Sequence, residues 1–357
     1  VLGNYIGTNA AGNTGLGSLV SYGIIVNAGA GVIVGDGSAA GRNVVSGNNT
    51  GNQMASTNGS IAGNYIGTNA AGSAAIVNTA GGGNNLNHGI ALTGASGMAV
   101  VGNVVSGNGT GIILSGLGVT NASVRGNFIG VNATGTAAIA NAVDGLLIWN
   151  QSNSNTIGGT TPADRNVISG NVRDGVSIGP DPLITNNRVI GNYIGTNAAG
   201  NTAIPNGRNG VNVDGAPGNF IGGTTAGARN VISGNVGNGV SITGLTATNN
   251  VIQGNYIGTD VTGTVNRGNG LSGVAILVSS NNTVGGVAPG AGNVLSGNGE
   301  DGVSIGGGQS VGNVVQGNLI GTDVTGTVAI GNVLRGVSTN GVNTVIGGTN
   351  PASRNVI

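Results

Sequence analysis

The chain has no cysteine and no lysine, one histidine, one tryptophan and one glutamate, and only 6% of its 357 residues are charged. Without cysteine there are no disulfides, no thiolate metal sites and no thiol nucleophile. Ten arginines balance nine aspartates and the glutamate to a net charge of zero, so no basic field exists to hold a phosphate backbone, and nucleic acid is excluded as a partner. Helical patterning is missing too, since no long stretch carries a 3.6-residue apolar period. No apolar run approaches the ~18 residues of a membrane span.

What the chain does have is glycine, at 77 positions, and asparagine beside it. Disordered chains of this kind are poor in hydrophobics, but here 38% of residues are hydrophobic, and the valines and isoleucines fall in a fixed order. The stretch GNYIGTNAAGNT at Gly3 recurs at Gly63 and Gly191, with near copies at Gly126, Gly254 and Gly317. These six starts are almost evenly spaced, at roughly 63 residues, and a fixed period of this size marks a repeat architecture.

Each period contains three short strand signals, each twice: NVISGN (Asn166, Asn230), GVSI (Gly175, Gly239, Gly302) and NTIGG or VIGN (Asn155, Val189). All are β-branched and bounded by glycine and asparagine, as strands between tight turns are. From Asn187 through Asn219, Asn250 and Asn282 to Asn313 the step is a nearly constant half-period, and each step holds one strand of every type. Every copy runs the same way, so like strands stack in parallel. The expected fold is all-β: a right-handed parallel β-helix of about eleven coils, three strands per coil and two coils per repeat.

In GVSI, Val240 and Ile242 then point inward and Ser241 outward, and Ile232 and Ile257 join the same aliphatic ladders. Glycine supplies positive φ at the corners, while an asparagine amide there can bond the next coil. On the outer side, Tyr5, Tyr65, Phe128, Tyr193, Tyr256 and Leu319 interleave with Val44, Val104, Val167, Val231, Val294 and Val356 as an apolar stripe. The loops that follow, with Ile76, Ile139, Ile204, Val265 and Ile330, are expected to fold back over it; the alternative leaves part of the stripe open for lateral contact.

The unit RNVISGN, GVSI, GNYIGTD resembles the parallel β-helix repeats of carbohydrate-active proteins and of long bacterial surface proteins, and is more similar to the second group, the adhesin-like secreted or cell-surface repeat proteins. That resemblance implies a scaffold, on which many activities can be placed.

Chemistry-bearing residues are sparse. Only Glu300 and Asp301 adjoin in sequence. Asp260 and Asp323 repeat at one period, where other copies carry Asn9, Asn69, Asn132 and Asn197, which favours an Asx-turn over calcium binding. Arg42, Arg165, Arg229 and Arg354 recur before a strand, either tying down loops through carbonyls or forming a row for acidic glycans. His88 and Trp149 stand alone, His88 expected in a loop and Trp149 on a sheet edge. No residue is assigned as catalytic, cofactor-binding or metal-ligating.

Val1 aligns with Ile252 and Ile357 with Ile232, so residues 1–357 are expected to form one continuous β-helix belonging to a longer array. The expected function is a structural, non-enzymatic rod, stalk or filament, extracellular or on the cell surface. Its partners would be copies of itself, end to end or side by side, and cell-surface glycans, with no membrane span in this segment. The competing expectation is a polysaccharide-binding or polysaccharide-degrading β-helix.

Overall fold

The computed structural model describes residues 1–16, 22–76 and 88–357. Strands of two to six residues fall into three sheets of eleven, and neighbours within a sheet are every third strand of the chain. All pairings between these strands are parallel, as in Ile112↔Leu146 and Val124↔Ile157. This is the expected right-handed parallel β-helix of eleven coils. The first sheet starts at Tyr5–Ile6 with two-residue strands. The second, the long sheet, starts at Tyr22–Val26 and reaches six residues at His88–Thr93 and Thr110–Ser115. The third starts at Ile33–Val34.

The core is a set of aliphatic ladders running through the coils. In the long sheet Leu146, Val176, Val211, Val240, Val274 and Val303 stack in one inward row, and Ile148, Ile178, Val213, Ile242, Ile276 and Ile305 in another. These side chains are buried, each worth about 1.5–3 kcal/mol on removal from water. Ile232 and Ile257 join the same core. Asn52 is a departure: it sits between Ile24 and Ile90 with both amide atoms buried and unpartnered.

Asparagine holds the corners. The amide of Asn43 donates to Asn64 at 2.8 Å and that of Asn64 to Asn103 at 3.1 Å; the relay continues through Asn127, Asn166, Asn192, Asn230, Asn255, Asn293 and Asn318 to Asn355. A second relay links Asn108, Asn141, Asn171, Asn206, Asn235, Asn269, Asn298 and Asn332 at the next corner. Each amide also meets a backbone carbonyl, as Asn192 meets Ile157, so the corner polar groups are satisfied without water.

The outer face of the first sheet is covered over most of its length. Tyr65, Phe128, Tyr193, Tyr256 and Leu319 alternate in register with Val104, Val167, Val231 and Val294. The loop after each folds back through an antiparallel bridge such as Thr196↔Ala203. Gly200 lies at φ +69, and a Cβ there would come 2.8 Å from the Tyr193 ring, so glycine alone lets the loop backbone rest on the aromatic. Successive loops bond one another: Ala70 N–H donates to Gly12 O at 2.8 Å, Ala198 to Gly135 at 2.9 Å and Val324 to Gly263 at 3.0 Å. Stacking of loops two coils apart was absent from the sequence-based expectation.

From the other side, Arg42, Arg165 and Arg229 lie 4.1, 4.2 and 4.1 Å from the ring centroids of Tyr65, Tyr193 and Tyr256. Arg42 and Arg229 also donate to the carbonyls of Gly63 and Gly254. These three are thus engaged with the fold and do not form a free row for glycans. Tyr193 and Tyr256 are buried, as are Ile76, Ile139 and Ile204. Tyr5, which receives no arginine, is half-exposed, and Val265 departs from the covering pattern by facing solvent.

Candidate functional site on the long sheet

With the first sheet covered, the outer face of the long sheet carries the unpaired chemistry. Three outward rows cross it. The first row, at or just before the start of each strand, contains Tyr22, Thr50, His88, Thr110, Asp144, Asp174, Asn209 and Asn238; the middle row contains Gln53, Leu147, Ser177 and Asn212; the third contains Thr93, Ser115, Trp149 and Asp214.

Asp144 and Asp174 are one coil apart, about 4.8 Å along the rod. Asp174 N–H donates to Asp144 Oδ1 at 3.1 Å, and Asn209 donates its backbone N–H and its amide to Asp174 Oδ1 at 2.9 and 3.0 Å. The next step is the same with asparagine: Asn238 N–H donates to Asn209 Oδ1 at 3.0 Å. In this row aspartate therefore does what asparagine can do, but brings a charge with it. Burial pushes both carboxyls above the usual aspartate range, and the neighbouring Asp174 charge pushes Asp144 further; N–H donors and the guanidinium groups of Arg173 and Arg208 pull the other way. Arg173 and Arg208 are exposed and stacked, with Arg208 N–H donating to Arg173 O at 3.0 Å. Arg173 Nε stands 4.0 Å from Asp144 Oδ1.

Next to this cluster Trp149 ends the strand Leu146–Trp149 and stays 42% exposed, where a ring inside a sheet would be covered. It lines a depression of about 190 Å³ with Asp144, Arg173, Pro180, Asn212 and Asp214. A further concavity, of about 340 Å³, lies apart from these groups at the last coil, between Gly347, Asn350, Arg354 and Ile357.

The sequence reading missed this site. Nothing in the repeat singles out Asp144 and Asp174, although both precede Gly at the head of a strand and stand one coil apart in the chain. Trp149, expected on a sheet edge, instead ends an interior strand, the fifth of the eleven in the long sheet. His88 does not sit in a loop; it opens the strand His88–Thr93, and burial lowers its pKa. The acids that sequence placed together, Glu300 and Asp301, are separated by their partners: Ser272 Oγ donates to Glu300 at 3.4 Å, while Asp301 faces Arg335 at 3.7 Å.

Asp260 and Asp323 form Asx-turns. Asp260 Oδ1 accepts from Thr262 N–H and Oγ1 at 3.1 and 2.6 Å, and Asp323 does the same with Thr325, whose hydroxyl is the main cause of a lowered pKa. Asn69, Asn132 and Asn197 accept instead from the N–H groups four residues on, of Ser73, Thr136 and Asn201, as Asp260 and Asp323 also do from Thr264 and Thr327. Among the described residues no three His, Cys, Asp or Glu side chains come together as a metal cluster.

No family model and no curated protein matches the chain. Solved structures do. The Dettilon tailspike protein (gp208) is 16% identical over 95% of this chain and 60% of its own, with a TM-score of 0.52, a likeness of architecture. The periplasmic alginate epimerase AlgG is 15% identical over 82% of this chain and 60% of its own (TM-score 0.44). The alginate lyase from Paenibacillus sp. str. FPU-7 is 13% identical over 88% of this chain and 87% of its own (TM-score 0.26). The chain thus spans about 60% of the length of the epimerase and the tailspike.

The expectation of a structural, non-enzymatic rod is corrected at this point. Solved structures similar to the chain include those of alginate epimerases and an alginate lyase. The physical ground for that expectation is how few acids, arginines and histidines the sequence carries. Coiling brings four of those few, Asp144, Asp174, Arg173 and Arg208, onto one face.

Proposed function

We propose that the chain is a polysaccharide-active β-helix protein, working outside the cytoplasm, that lays an extended anionic glycan across the outer face of the long sheet. The observation that carries this is the Trp149 depression, where a half-exposed indole stands beside Asp144, Arg173, Asn212 and Asp214. An indole face stacks on the C–H face of a sugar, amide and carboxylate groups meet its hydroxyls, and paired guanidinium groups meet a sugar carboxylate or sulfate. A shallow, open surface of parallel rungs suits a polymer that enters from the side, in contrast to the enclosed pockets of small ligands.

In this reading Asp144 and Asp174 supply the acid–base pair. A carboxyl with a raised pKa keeps a proton that it can deliver to a leaving oxygen, and its ionised neighbour is available as the base of an elimination or as the nucleophile of a retaining hydrolysis. Their separation of one coil is near the ~5–5.5 Å of carboxyl pairs in retaining glycoside hydrolysis. Arg173 and Arg208 would neutralise the acidic group of the substrate.

The test is to incubate the chain with polygalacturonate, alginate and neutral glucans, and to read reducing ends and unsaturated uronate ends separately. Either product from an acidic polymer, abolished in Asp144→Asn and Asp174→Asn, is the expected result. Failure of every polymer both to be cleaved and to bind would overturn the reading. Unsaturated ends without water addition would indicate elimination, and reducing ends alone hydrolysis.

A further inference from the structure

The same face carries a second depression of about 220 Å³, three to four coils toward the first coil, whose lining includes Tyr22, Gln53, His88, Thr93, Ile113 and Ser115. It differs in kind from the Trp149 depression. Its lining holds no aspartate, glutamate or arginine, and the only ionisable groups are a phenol and an imidazole. Burial favours the uncharged form of that imidazole. His88 Nδ1 is buried and meets no hydrogen-bond partner among the described residues, so none of these fixes that nitrogen as donor or acceptor. Such an imidazole can donate or accept, which matches a hydroxyl that does both. Tyr22 lies half-exposed at one end. Ser115 pairs with Thr93 and His88 with Thr110 in register, so hydroxyl and ring groups repeat at the coil spacing of about 4.8 Å.

We propose that this depression is a subsite for an uncharged sugar, its ring resting on Tyr22 and its hydroxyls bonded by Gln53, His88, Thr93 and Ser115. The idea rests on the polysaccharide reading and deepens it: the face is divided along its length into an uncharged half at coils one to four and a charged half at coils five to seven. A glycan spanning both halves would carry neutral and acidic sugars in separate blocks or as side chain and backbone. Apolar contact from Ile113 and Ala91 forms the floor between the polar groups, as a pyranose with one apolar face requires.

The single histidine and the single tryptophan make each half separately visible. Nuclear magnetic resonance of the whole chain would follow the His88 imidazole and the Trp149 indole during titration with maltohexaose, cellohexaose and xylohexaose, and separately with oligogalacturonate. The expected result is that at least one neutral hexasaccharide shifts the imidazole, that this affinity falls at least tenfold in Tyr22→Ala and in Gln53→Ala, and that it persists in Trp149→Ala. An unchanged indole signal in the Tyr22 and Gln53 variants reports an intact fold. If none of the three neutral sugars moves the imidazole, or if the response survives both substitutions, the subsite is refuted. The indole response to oligogalacturonate judges the broader reading independently, so failure of one is distinguishable from failure of the other.

Discussion

Two outer faces of one solenoid behave in opposite ways. On the first sheet, every second coil repeats the same tyrosine or its substitute, the same loop and, in three cases, the same arginine, and these parts cover one another. On the long sheet the outward side chains change from coil to coil, and Tyr22, His88, Trp149 and the Asp144–Asp174 pair occur once each. Periodic outward residues are self-complementary: each copy finds its partner two coils away, and the face is consumed in folding. Among the described residues, aperiodic outward side chains such as Tyr22 and Trp149 find no such repeating partner and stay half-exposed. In this architecture structure resides in the repeat and specificity in departures from it.

The sharpest way to break that contrast is to cut into both faces and compare stability. Tyr193→Ala removes a buried ring, its arginine stack and the floor of a loop, and is expected to cost about 3–5 kcal/mol in chemical denaturation. Gly200→Ala forces a Cβ against the same ring at a positive φ and should cost about 1–3 kcal/mol. On the open face, Trp149→Ala is expected to change stability by less than about 1 kcal/mol while abolishing glycan binding. Equal losses from Tyr193→Ala and Trp149→Ala would erase the distinction between the faces.

The smallest effect is electrostatic. In the folded chain Asp174 sits above its ordinary value of 3.8, so between that value and the raised one the fold binds more protons than the unfolded chain. Its stability therefore falls as pH rises through this window. Asp174→Asn keeps the oxygen that accepts from Asn209 and removes the buried charge. It should raise the melting temperature slightly at neutral pH, with the gain fading as pH falls toward 3.8. A gain that grows under acid would reverse the sign and contradict the assignment.

Most of the fold is legible in the sequence because successive coils write their strands and corners in the same letters at a nearly constant spacing. Asn192 and Asn230 could be placed at a corner from that register alone, and they bond as corner residues should. The covering of Tyr193 and Tyr256 was legible from the apolar loop residues, but the bonds between loops were not, since Ala198 and Gly135 stand a full period apart and carry no side-chain signal of the contact. The candidate site was hidden for a different reason. A period reveals what recurs, and His88 and Trp149 do not recur. Asp144 and Asp174 could have been paired by counting one coil, whereas their raised pKa values depend on burial that only the packed structure supplies.

The central claim, that an anionic glycan binds the open face of the long sheet, is tested most directly by the fluorescence of the sole tryptophan during titration with oligogalacturonate. The account predicts a saturable change in Trp149 emission that is lost when Arg173 and Arg208 are both replaced by alanine and that weakens as salt rises. Emission that stays unchanged up to millimolar oligogalacturonate, or a change that persists in the double variant, would contradict it.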